Sequence, residues 1–435
     1  MDALVDSPPF RFRRRVLLSC FACSPIWGSE PGVGWRWLLE LTKRHDVVLV
    51  THAFFREQLE PALAANPVAG LEIHYCAAPA LGAHPHKQLN SRLFYVWWQW
   101  RLKQMVKRLM KTQTFDLIHH LTWGTFRFPT FLGGMGVPLV MGPLGGGDVA
   151  PMRLYVGLPF RTRALEWVRA MSLHLARFDP LATLGPNSAD LILCKTEDTL
   201  RALPARLRQR AVIALEIGAP TVDISCRQSR SVVPVPFRLL FAGTLSGVKG
   251  IVLALGAVKL LTKAGYDVTL DIAGKGPLQA HIRSEVVRLD LTERVRLLGM
   301  LARENLFELY AKADLFVFPS LHDSSGNVVL ESLSRGLPVI CLDLGGPKYY
   351  VTPQCGVVVS TRGQSRAQIE RGLANAIAGV LDDPEKLRSM STEAVRQATI
   401  QTWAARVNGA YDLIEQKLNW VGDQGVTGEV DRGPF

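Results

Sequence analysis

The sequence predicts an α/β protein built from two Rossmann-like, doubly wound domains that face each other across a cleft. Three observations support this fold class. The 435 residues exceed what one compact core usually holds. Short apolar runs alternate with amphipathic helical segments in both halves, which is typical of parallel sheets covered on both faces. A polar segment rich in Ser, Arg and Pro, Asp223–Val235, separates the two series and predicts a linker.

The elements follow from buried-strand runs and helical periodicity. In the first half we expect strands at Arg15–Cys23, Asp46–Thr51, Leu71–Cys76, Asp116–His120, Pro138–Met141, Leu191–Cys194 and Ile213–Glu216, and helices at Trp35–Lys43 and Leu89–Lys111. In the second half we expect strands at Phe237–Ala242, Val268–Ala273, Val295–Leu298, Leu315–Pro319 and Pro338–Leu342, and helices at Ile251–Ala264, Leu278–Leu289, Glu304–Lys312 and Val328–Arg335. Ligands of open α/β sheets bind beyond the carboxyl ends of the strands, so the loops that follow strands hold the candidate site.

Composition limits the classes of protein to consider. Hydrophobic residues make up 48% of the chain and charged residues 20%, as in a globular protein, and only the polar, Gly-rich tail after Leu418 predicts disorder. The net charge is +12, and the basic excess falls mainly before residue 221. A basic face can meet nucleic acid, an anionic membrane or an acidic substrate, or it can simply be solvated.

Cysteine usage points to a reducing compartment. The seven cysteines are odd in number and scattered, and Cys20 and Cys23 have no second pair for zinc, so we interpret these two as buried structural residues. The basic residues and short apolar run around Cys20 resemble a signal peptide, but they lead directly into a Gly-rich turn, which favours a first strand. No apolar stretch approaches the ~20 residues of a membrane span.

Leu89–Lys111 combines tryptophans with basic residues and contains no acid. Such a helix can lie on an anionic bilayer, or it can be a core helix with a solvated basic edge. Aromatic-basic mixtures also bind single-stranded nucleic acid, but no nucleic-acid motif accompanies this one, so we expect no nucleic-acid partner. We expect a cytoplasmic protein with a peripheral contact at the inner face of the membrane.

The most informative segment follows the strand Leu315–Pro319 and runs from His322 to Glu331. Gly326 allows close approach of the backbone to a ligand, and the helix that begins after it offers free N–H groups and a positive dipole end. A diphosphate suits that position. Glu331, one turn further along, can accept hydrogen bonds from ribose hydroxyls.

Four motifs occur in order over the second half. They are Phe241-Ala-Gly243-Thr-Leu-Ser-Gly-Val-Lys249-Gly250, Asp271-Ile-Ala-Gly274-Lys-Gly276-Pro277, Val295-Arg-Leu-Leu-Gly299-Met-Leu, and Asp323 separated by seven residues from Glu331 and followed by Gly336-Leu-Pro338-Val-Ile. Together they resemble the retaining glycosyltransferases of family 4, the glycosyl transferases group 1, which have the GT-B fold. That resemblance implies an N-terminal acceptor-side domain over residues 11–222, a donor domain over 236–397, and a C-terminal helix within 398–419 that packs back on the first domain.

The resemblance also assigns roles. Lys249 neutralises the donor diphosphate, and Asp323 contacts sugar hydroxyls where the family more often has Glu. Thr244 stands where the family has Arg, so one phosphate-binding cation is missing from its usual position. The predicted donor-binding residues are Gly243, Thr244, Lys249, Gly274, Gly276, Met300, Ser325, Gly326, Asn327, Val328 and Glu331.

The first half matches more loosely. Gly32 and Gly34, in the loop after the first strand, would let the backbone approach the transferred sugar. The family often carries a His near the reacting sugar; we predict His120, with His119 as the alternative, and a buried core histidine as the competing interpretation. Asp148, after Gly145-Gly-Gly147, is a candidate acceptor contact; this glycine run lacks the full dinucleotide fingerprint and argues against a nicotinamide site.

The implied function is transfer of a sugar from a nucleotide-sugar donor to a glycan or lipid-linked acceptor, with retention, without metal and without a cofactor, since the nucleotide-sugar is a substrate. The expected catalytic residues are Lys249, His120 and Asp323. Three alternatives stay open: a sugar-nucleotide epimerase of the same fold, an inactive nucleotide-sugar-binding protein, and a nicotinamide oxidoreductase.

Overall fold

The computed structural model describes residues 13–77, 91–176, 180–222 and 236–419. The predicted linker Asp223–Val235, the first two residues of the predicted helix Leu89–Lys111 and the polar tail beyond Asn419 lie outside the described residues. The described residues form two parallel sheets, one of seven strands and one of six. The predicted α/β class with two doubly wound domains is confirmed.

The first sheet has the order β3-β2-β1-β4-β5-β6-β7. Its strands are β1 Arg15–Cys20, β2 Asp46–His52, β3 Leu71–Cys76, β4 Leu117–Thr122, β5 Leu139–Leu144, β6 Leu191–Cys194 and β7 Ala211–Ile213. The surrounding helices are α1 Ser29–Arg44, α2 Arg56–Ala65, α3 Arg92–Leu109, α4 Phe160–Ala176, α5 Pro180–Ser188, α6 Glu197–Ala202 and α7 Ala205–Arg208. Val16 of β1 pairs with Val47 on one side and with Leu117 on the other, so β1 lies in the middle of the sheet.

The second sheet has the order β10-β9-β8-β11-β12-β13. Its strands are β8 Phe237–Ala242, β9 Val268–Ala273, β10 Val295–Gly299, β11 Leu315–Phe318, β12 Val339–Leu342 and β13 Gly356–Val359. The helices that follow β7 are α8 Ile251–Lys263, α9 Gln279–Arg288, α10 Arg303–Lys312, α11 Asn327–Ser334, α12 Arg366–Leu381, α13 Pro384–Ile400 and α14 Trp403–Lys417. Strand order reverses between β8 and β11, which places the crevice of this domain beyond those two strand ends.

Local sequence explains why these elements form. The central strands are buried almost throughout and mostly apolar, as expected of parallel strands covered on both faces, although β4 also buries His119 and His120. Helix α12 begins at a capping box in which Ser365 and Gln368 satisfy each other's backbone N–H groups. Helix α8 is apolar almost all round because it is enclosed between the sheet and α12.

Several sequence-predicted boundaries differ from the structure, and those of the first helix and the seventh strand bear on the cleft. Helix α1 begins at Ser29, six residues before the predicted start at Trp35, because Pro31 is tolerated in a first turn where no helical donor is needed. The strand predicted at Ile213–Glu216 ends at Ile213. The residues beyond it turn into the cleft instead.

The C-terminal helix α14 packs against α1 of the first domain. Arg44 of α1 donates to Asp412 at 2.7 Å, and Tyr411 lies 2.9 Å from His119 of β4. Ala219 donates to the carbonyl of Gln401, which ties the crossing segment to the first domain at 2.7 Å. The chain thus crosses between the domains twice, and the carboxyl ends of both sheets meet across one cleft.

The part of the chain that the structure describes contains no helix both long and apolar enough to cross a membrane. Six of its cysteines, including Cys20 and Cys23, are buried free thiols. The interpretation of Cys20 and Cys23 as buried structural residues is therefore confirmed.

Candidate active site

The loop between β11 and α11 forms one wall of the cleft; we call residues 319–326 the donor-side loop. It turns into α11 at Gly326, whose φ of +77° is a left-handed conformation that favours glycine. A Cβ at this position would also lie within 3.4 Å of Pro347 and the Tyr350 ring. Asn327 and Val328 begin α11 directly behind this turn, so the helix N-terminus faces the cleft as predicted from the sequence.

Asp323 holds this loop together. Its Oδ1 accepts the N–H groups of Ser325 and Gly326 at 3.1 and 2.7 Å, and its Oδ2 pairs with Lys249 Nζ at 2.5 Å. Burial alone would raise the pKa of Asp323, but the charge of Lys249 and these hydrogen bonds together lower it. The two charged residues predicted for chemistry therefore form a direct ion pair.

Lys249 is brought there by a short 3₁₀ turn, Gly247–Lys249, that follows β8. Gly250 ends the turn with a φ of +66°, and a Cβ there would lie 1.8 Å from the carbonyl oxygen of Pro319. The glycine after Lys249 is thus required by the close approach of the turn to the donor-side loop. Thr244, in the preceding loop, is exposed, and its carbonyl accepts the N–H of Ser246 at 2.8 Å.

Glu331 lies one turn inside α11, where Tyr310 donates to its Oε2 at 3.3 Å. Burial raises its pKa, while the charge of Arg303 and the hydrogen bond from Tyr310 oppose that shift. Glu331 and Asn327 line a cavity of about 300 Å³ whose opposite wall includes Trp27 and Gly32 of the first domain. The structure therefore brings the predicted ribose acceptor and the predicted Gly-rich loop to one cavity.

The three loops after β8, β9 and β10 stack into a ledge. Gly243 donates to Ala273 at 2.9 Å, and Gly274 donates to Gly299 at 2.7 Å. A Cβ on Gly274 would lie 1.9 Å from the Gly243 carbonyl oxygen, and one on Gly276 would lie 2.4 Å from that of Leu245. These glycines are thus required by backbone packing, and the ledge presents Met300, which is 66% exposed, at its outer end.

Gly32 and Gly34 both belong to α1, not to a loop. A Cβ on Gly32 would lie 2.6 Å from the Trp27 carbonyl oxygen, and one on Gly34 would lie 2.5 Å from that of Ala22. Gly32 lines the cleft cavity, but Gly34 is buried against the segment that follows β1, so the prediction that Gly34 approaches the sugar is wrong.

The structure places His120 away from the cleft. The ring is 1% exposed; its Nδ1 lies 3.0 Å from Ser19 Oγ and its Nε2 lies 2.8 Å from the hydroxyl of Tyr95. Burial and the neighbouring His119 lower its pKa to about 3. His119 is equally enclosed, between Tyr411 and the carbonyl of Gly142. The prediction of a catalytic histidine here is corrected: both are core residues with two partners each.

Asp148 lies at the domain interface, but its carboxylate points back into the first domain. Its Oδ1 accepts from Thr196 at 2.8 Å, beside the start of α6, and its carbonyl accepts from His322 Nδ1 at 2.7 Å. Burial raises its pKa. The residue therefore joins the two domains through its backbone, and an acceptor contact through the side chain stays a prediction.

One charged cluster of the cleft was missed by the sequence analysis. Lys195, which follows β6 and is 4% exposed, lies 2.7 Å from Glu216 and 3.4 Å from Glu30. Glu216 in turn accepts from Ser325 of the donor-side loop at 2.8 Å. Burial raises the pKa of Glu216, and the two glutamates raise that of Lys195 against the effect of burial. In the sequence, the only indication of this cluster is that each of these charged residues comes after a strand. Glu30, Lys195 and Glu216 are distant in sequence, and only the folded structure brings them together.

A second contact across the cleft was also missed. The guanidinium of Arg169, on α4, donates to His322 Nε2, while His322 Nδ1 donates to the first domain at Asp148. The imidazole must therefore be neutral, and burial followed by the charge of Arg169 lowers its pKa to about 4.

In the described residues, no group of three or more His, Cys, Asp or Glu side chains is arranged to hold a metal ion.

Comparison with known proteins supports the sequence resemblance. Residues 227–397 match the sequence profile of the glycosyl transferases group 1. Glycogen synthase of Mycobacterium tuberculosis is 30% identical over 217 residues, which is 49% of this chain and 50% of that protein. D-inositol 3-phosphate glycosyltransferase of Corynebacterium diphtheriae is 28% identical over 237 residues, 50% and 54% of the two chains. The matches thus span about half the length of these relatives.

Solved structures extend the likeness to both domains. Sucrose-phosphate synthase from Thermosynechococcus elongatus superposes with a TM-score of 0.60 at 17% identity, covering 94% of this chain and all of that chain. Anabaena HepE, solved in complex with UDP, superposes with a TM-score of 0.57 at 18% identity and the same coverage. At these identities the likeness shows the fold, which is GT-B. Residues 227–397 are therefore similar to the glycosyl transferases group 1, and they lie within a two-domain GT-B fold.

Proposed function

We propose that this protein transfers a sugar from a nucleotide-sugar donor to a hydroxyl group of a glycan or lipid-linked acceptor, with retention and without a metal ion. The observation that carries the proposal is the contact of Lys249 with Asp323 beside the N-terminus of α11, the helix whose Asn327 and Glu331 line an interdomain cavity. These residues are the ones that the family resemblance assigns to a sugar nucleotide.

The chemistry follows from the charges. A nucleoside diphosphate gains negative charge as its bond to the sugar breaks, so a fixed ammonium at the phosphates stabilises the transition state more than the ground state. Lys249 supplies that ammonium. Asp323 is its present partner, and a diphosphate at Lys249 would weaken this pair and release the carboxylate toward the hydroxyls of the transferred sugar. Front-face attack by the acceptor, with the leaving phosphate as proton acceptor, needs no protein base, which agrees with the burial of His120.

The acceptor would enter from the first domain. Gly32 and the indole of Trp27 face Glu331 across the cavity, and the donor-side loop is tied to the first domain through Ser325 and His322. The cleft is thus narrow where the anomeric carbon would lie, and it would exclude water from the reacting bond. The absence of Arg at position 244 leaves Lys249 as the cation that the resemblance provides.

We further propose a cytoplasmic enzyme with a peripheral contact to anionic membrane. Helix α3 buries Phe94, Trp98 and Leu102, yet Trp97 and Trp100 are 42% and 51% exposed and alternate with exposed basic residues such as Arg101. Aromatic rings and cations on one solvent-facing helix suit the interface of an anionic bilayer. This surface would bring the cleft close to a lipid-linked acceptor.

The experiment is a donor screen by mass spectrometry. The purified full chain is incubated with a panel of nucleotide-sugars and a panel of glycan and lipid-linked acceptors. We expect one donor to be consumed with formation of a glycosylated product and a free nucleoside diphosphate. Retention is then established from the anomeric configuration of the product, and metal independence from turnover in the presence of EDTA.

The same screen separates the alternatives. Conversion of the donor sugar without an acceptor product would establish an epimerase instead. Tight binding of a nucleotide-sugar without any conversion would establish a binding protein.

A further inference from the structure

The loop that follows β4 carries a guanidinium group that has no anionic partner among the described residues. Thr125 of this loop bridges to Gly145, and a Cβ on Gly145 would lie 3.0 Å from Ser324 Oγ of the donor-side loop. The loop therefore lines the cleft on the side of the first domain. Two residues further along, Arg127 is half-buried, and its Nε is enclosed without a hydrogen-bond acceptor.

The charged surroundings of Arg127 are positive. Burial lowers its pKa first, and the charges of Arg169 and Arg92 lower it further, with no carboxylate acting in the opposite direction. No ion pair joins Arg127 to an acid within residues 13–77, 91–176, 180–222 and 236–419.

Arg169 completes the pair from the neighbouring helix. It reaches across the cleft to the ring of His322, and its only carboxylate contact in the described chain is Glu166, at 3.6 Å. That ion pair is longer than a hydrogen bond and leaves much of the guanidinium available. Arg169 thus contacts the His322 ring at Nε2, opposite the nitrogen that donates to the first-domain backbone at Asp148, and Arg127 lies close enough to Arg169 for the two positive charges to repel each other.

Such an arrangement is unfavourable without an anion. Enclosing an unpaired cationic group costs free energy, and like charges nearby add to that cost. The planar fork of arginine matches carboxylate and phosphate oxygens with two parallel hydrogen bonds. A ligand that carries a carboxylate or a phosphate would remove the free-energy cost of the unpaired guanidinium groups. A neutral sugar would not remove it.

We propose that Arg127 and Arg169 form a subsite for an anionic group of the acceptor, either a phosphate or a carboxylate. The proposal rests on the proposed function, because it needs an acceptor that enters from the first domain. Lys249 serves the donor diphosphate on the second domain, and the two arginines serve a separate anion on the first. An acceptor sugar linked to a lipid phosphate, or an acidic sugar such as a uronic acid, would meet this requirement.

The test measures anion binding directly, without turnover. The full chain is first saturated with the nucleoside diphosphate, among UDP, GDP and ADP, that it binds most tightly, so that the donor site is filled. Inorganic pyrophosphate, glucuronate and neutral glucose are then titrated by calorimetry. We expect at least one of the two anions to bind, and Arg127→Gln to weaken that binding by at least ~10-fold, the scale of a hydrogen bond to a charged group.

Arg163→Gln is the matched control, because Arg163 is an exposed arginine of the same helix as Arg169. We expect it to change anion binding by less than about twofold. Preference for pyrophosphate would indicate a phosphate-linked acceptor, and preference for glucuronate an acidic sugar. Should Arg127→Gln fail to fold, Arg127→Lys keeps the charge but loses the fork, and a loss of at least ~3-fold is expected.

Two outcomes would overturn the subsite. In one, neither anion binds, or wild type and Arg127 variant bind them equally. In the other, Arg127→Gln weakens the nucleoside diphosphate itself by ~10-fold, which would mean that these arginines replace the Arg missing at position 244. Failure of the proposed function gives a different result: Arg127-dependent anion binding persists while no donor is ever converted.

Discussion

The two walls of the cleft hold their charged residues in different ways. On the second domain, Lys249 and Asp323 lie on loops at the surface of the cleft and contact each other within one domain. On the first domain, Lys195 and Glu216 are almost completely buried, and the histidines of β4 are sealed in the core. We call the wall on the second domain the reactive wall, because under the proposed function its charged residues would exchange partners with a ligand, and the wall on the first domain the supporting wall, because its partners are fixed by packing.

The difference also shows where each domain depends on the other. The donor-side loop donates hydrogen bonds to the first domain through Ser325 and His322. A change in the supporting wall should therefore alter stability and the approach of the domains. A change in the reactive wall should alter catalysis and leave the fold unchanged.

The largest expected effect concerns Lys195. Lys195→Met should lower the free energy of unfolding by about 3–5 kcal/mol, because it leaves the buried Glu216 without a compensating charge. Urea unfolding measures the change. Lys43→Met is the control, since Lys43 pairs with Glu40 on the surface, where such a pair contributes about 0–1 kcal/mol. Equal effects of both variants would contradict a supporting role for Lys195.

Lys249→Ala should lower turnover by at least ~10²-fold, since an electrostatic group at the leaving phosphate is lost. Steady-state kinetics with the donor found in the screen gives the ratio. Lys312→Ala, an exposed lysine paired with Glu308, is the control. Thr244→Arg should maintain or increase turnover. Near-normal turnover of Lys249→Ala would place the diphosphate elsewhere.

Acidification should destabilise the first domain through its buried histidines. The pKa of His120 is lowered from 6.5 to about 3, so its contribution is fully present above 6.5 and is lost as the pH falls toward 3. His120→Gln should reduce the slope of unfolding free energy against pH by about 1.4 kcal/mol per pH unit below 6. The raised pKa of Glu216 acts with the opposite sign, because the folded state then binds the extra proton.

The internal control for His120 is the slope above pH 7, where wild type and His120→Gln should coincide. A catalytic role would instead appear as loss of turnover at constant stability. Unfolding curves and kinetics from the same preparation distinguish the two explanations.

Glu331→Ala should weaken binding of the free nucleoside diphosphate by roughly 10-fold or more, through loss of a charged acceptor for ribose hydroxyls. Calorimetry with the matching nucleoside diphosphate measures it, and Glu308→Ala on the exposed face of α10 serves as control. Unchanged affinity would remove Glu331 from the ribose site.

The smallest effect is expected at the membrane. Arg101→Gln should reduce binding to vesicles of anionic phospholipid by about fivefold, corresponding to ~1 kcal/mol per basic residue at such a surface. Co-sedimentation at two salt concentrations measures the loss, and vesicles of zwitterionic lipid provide the control. Binding that responds to neither salt nor lipid charge would contradict the electrostatic contact.

The sequence by itself determined the α/β class, nearly all of the strands and the residues of the reactive wall. Buried parallel strands are short continuous apolar runs, and this local property survives any arrangement of the rest of the chain. The donor-side motifs were equally readable because glycine and charged residues stand at fixed short spacings, as in the segment from Asp323 to Glu331. Lys249 and Asp323 lie together because each follows one of two adjacent strands, β8 and β11.

Only the tertiary structure decided the supporting wall. Glu30, Lys195 and Glu216 are far apart in sequence and contact one another only after three strand ends have been brought to the cleft. Neighbouring side chains also decide whether a residue near a strand end points into the cleft or into the core. The position of His120 near the end of β4 suggested a cleft residue, but Ser19 and Tyr95 hold its ring in the core. Both outcomes depend on how side chains pack across the sheet. The local sequence pattern contains no information about that packing, so it predicts neither which distant charges will pair nor which side chains will be buried.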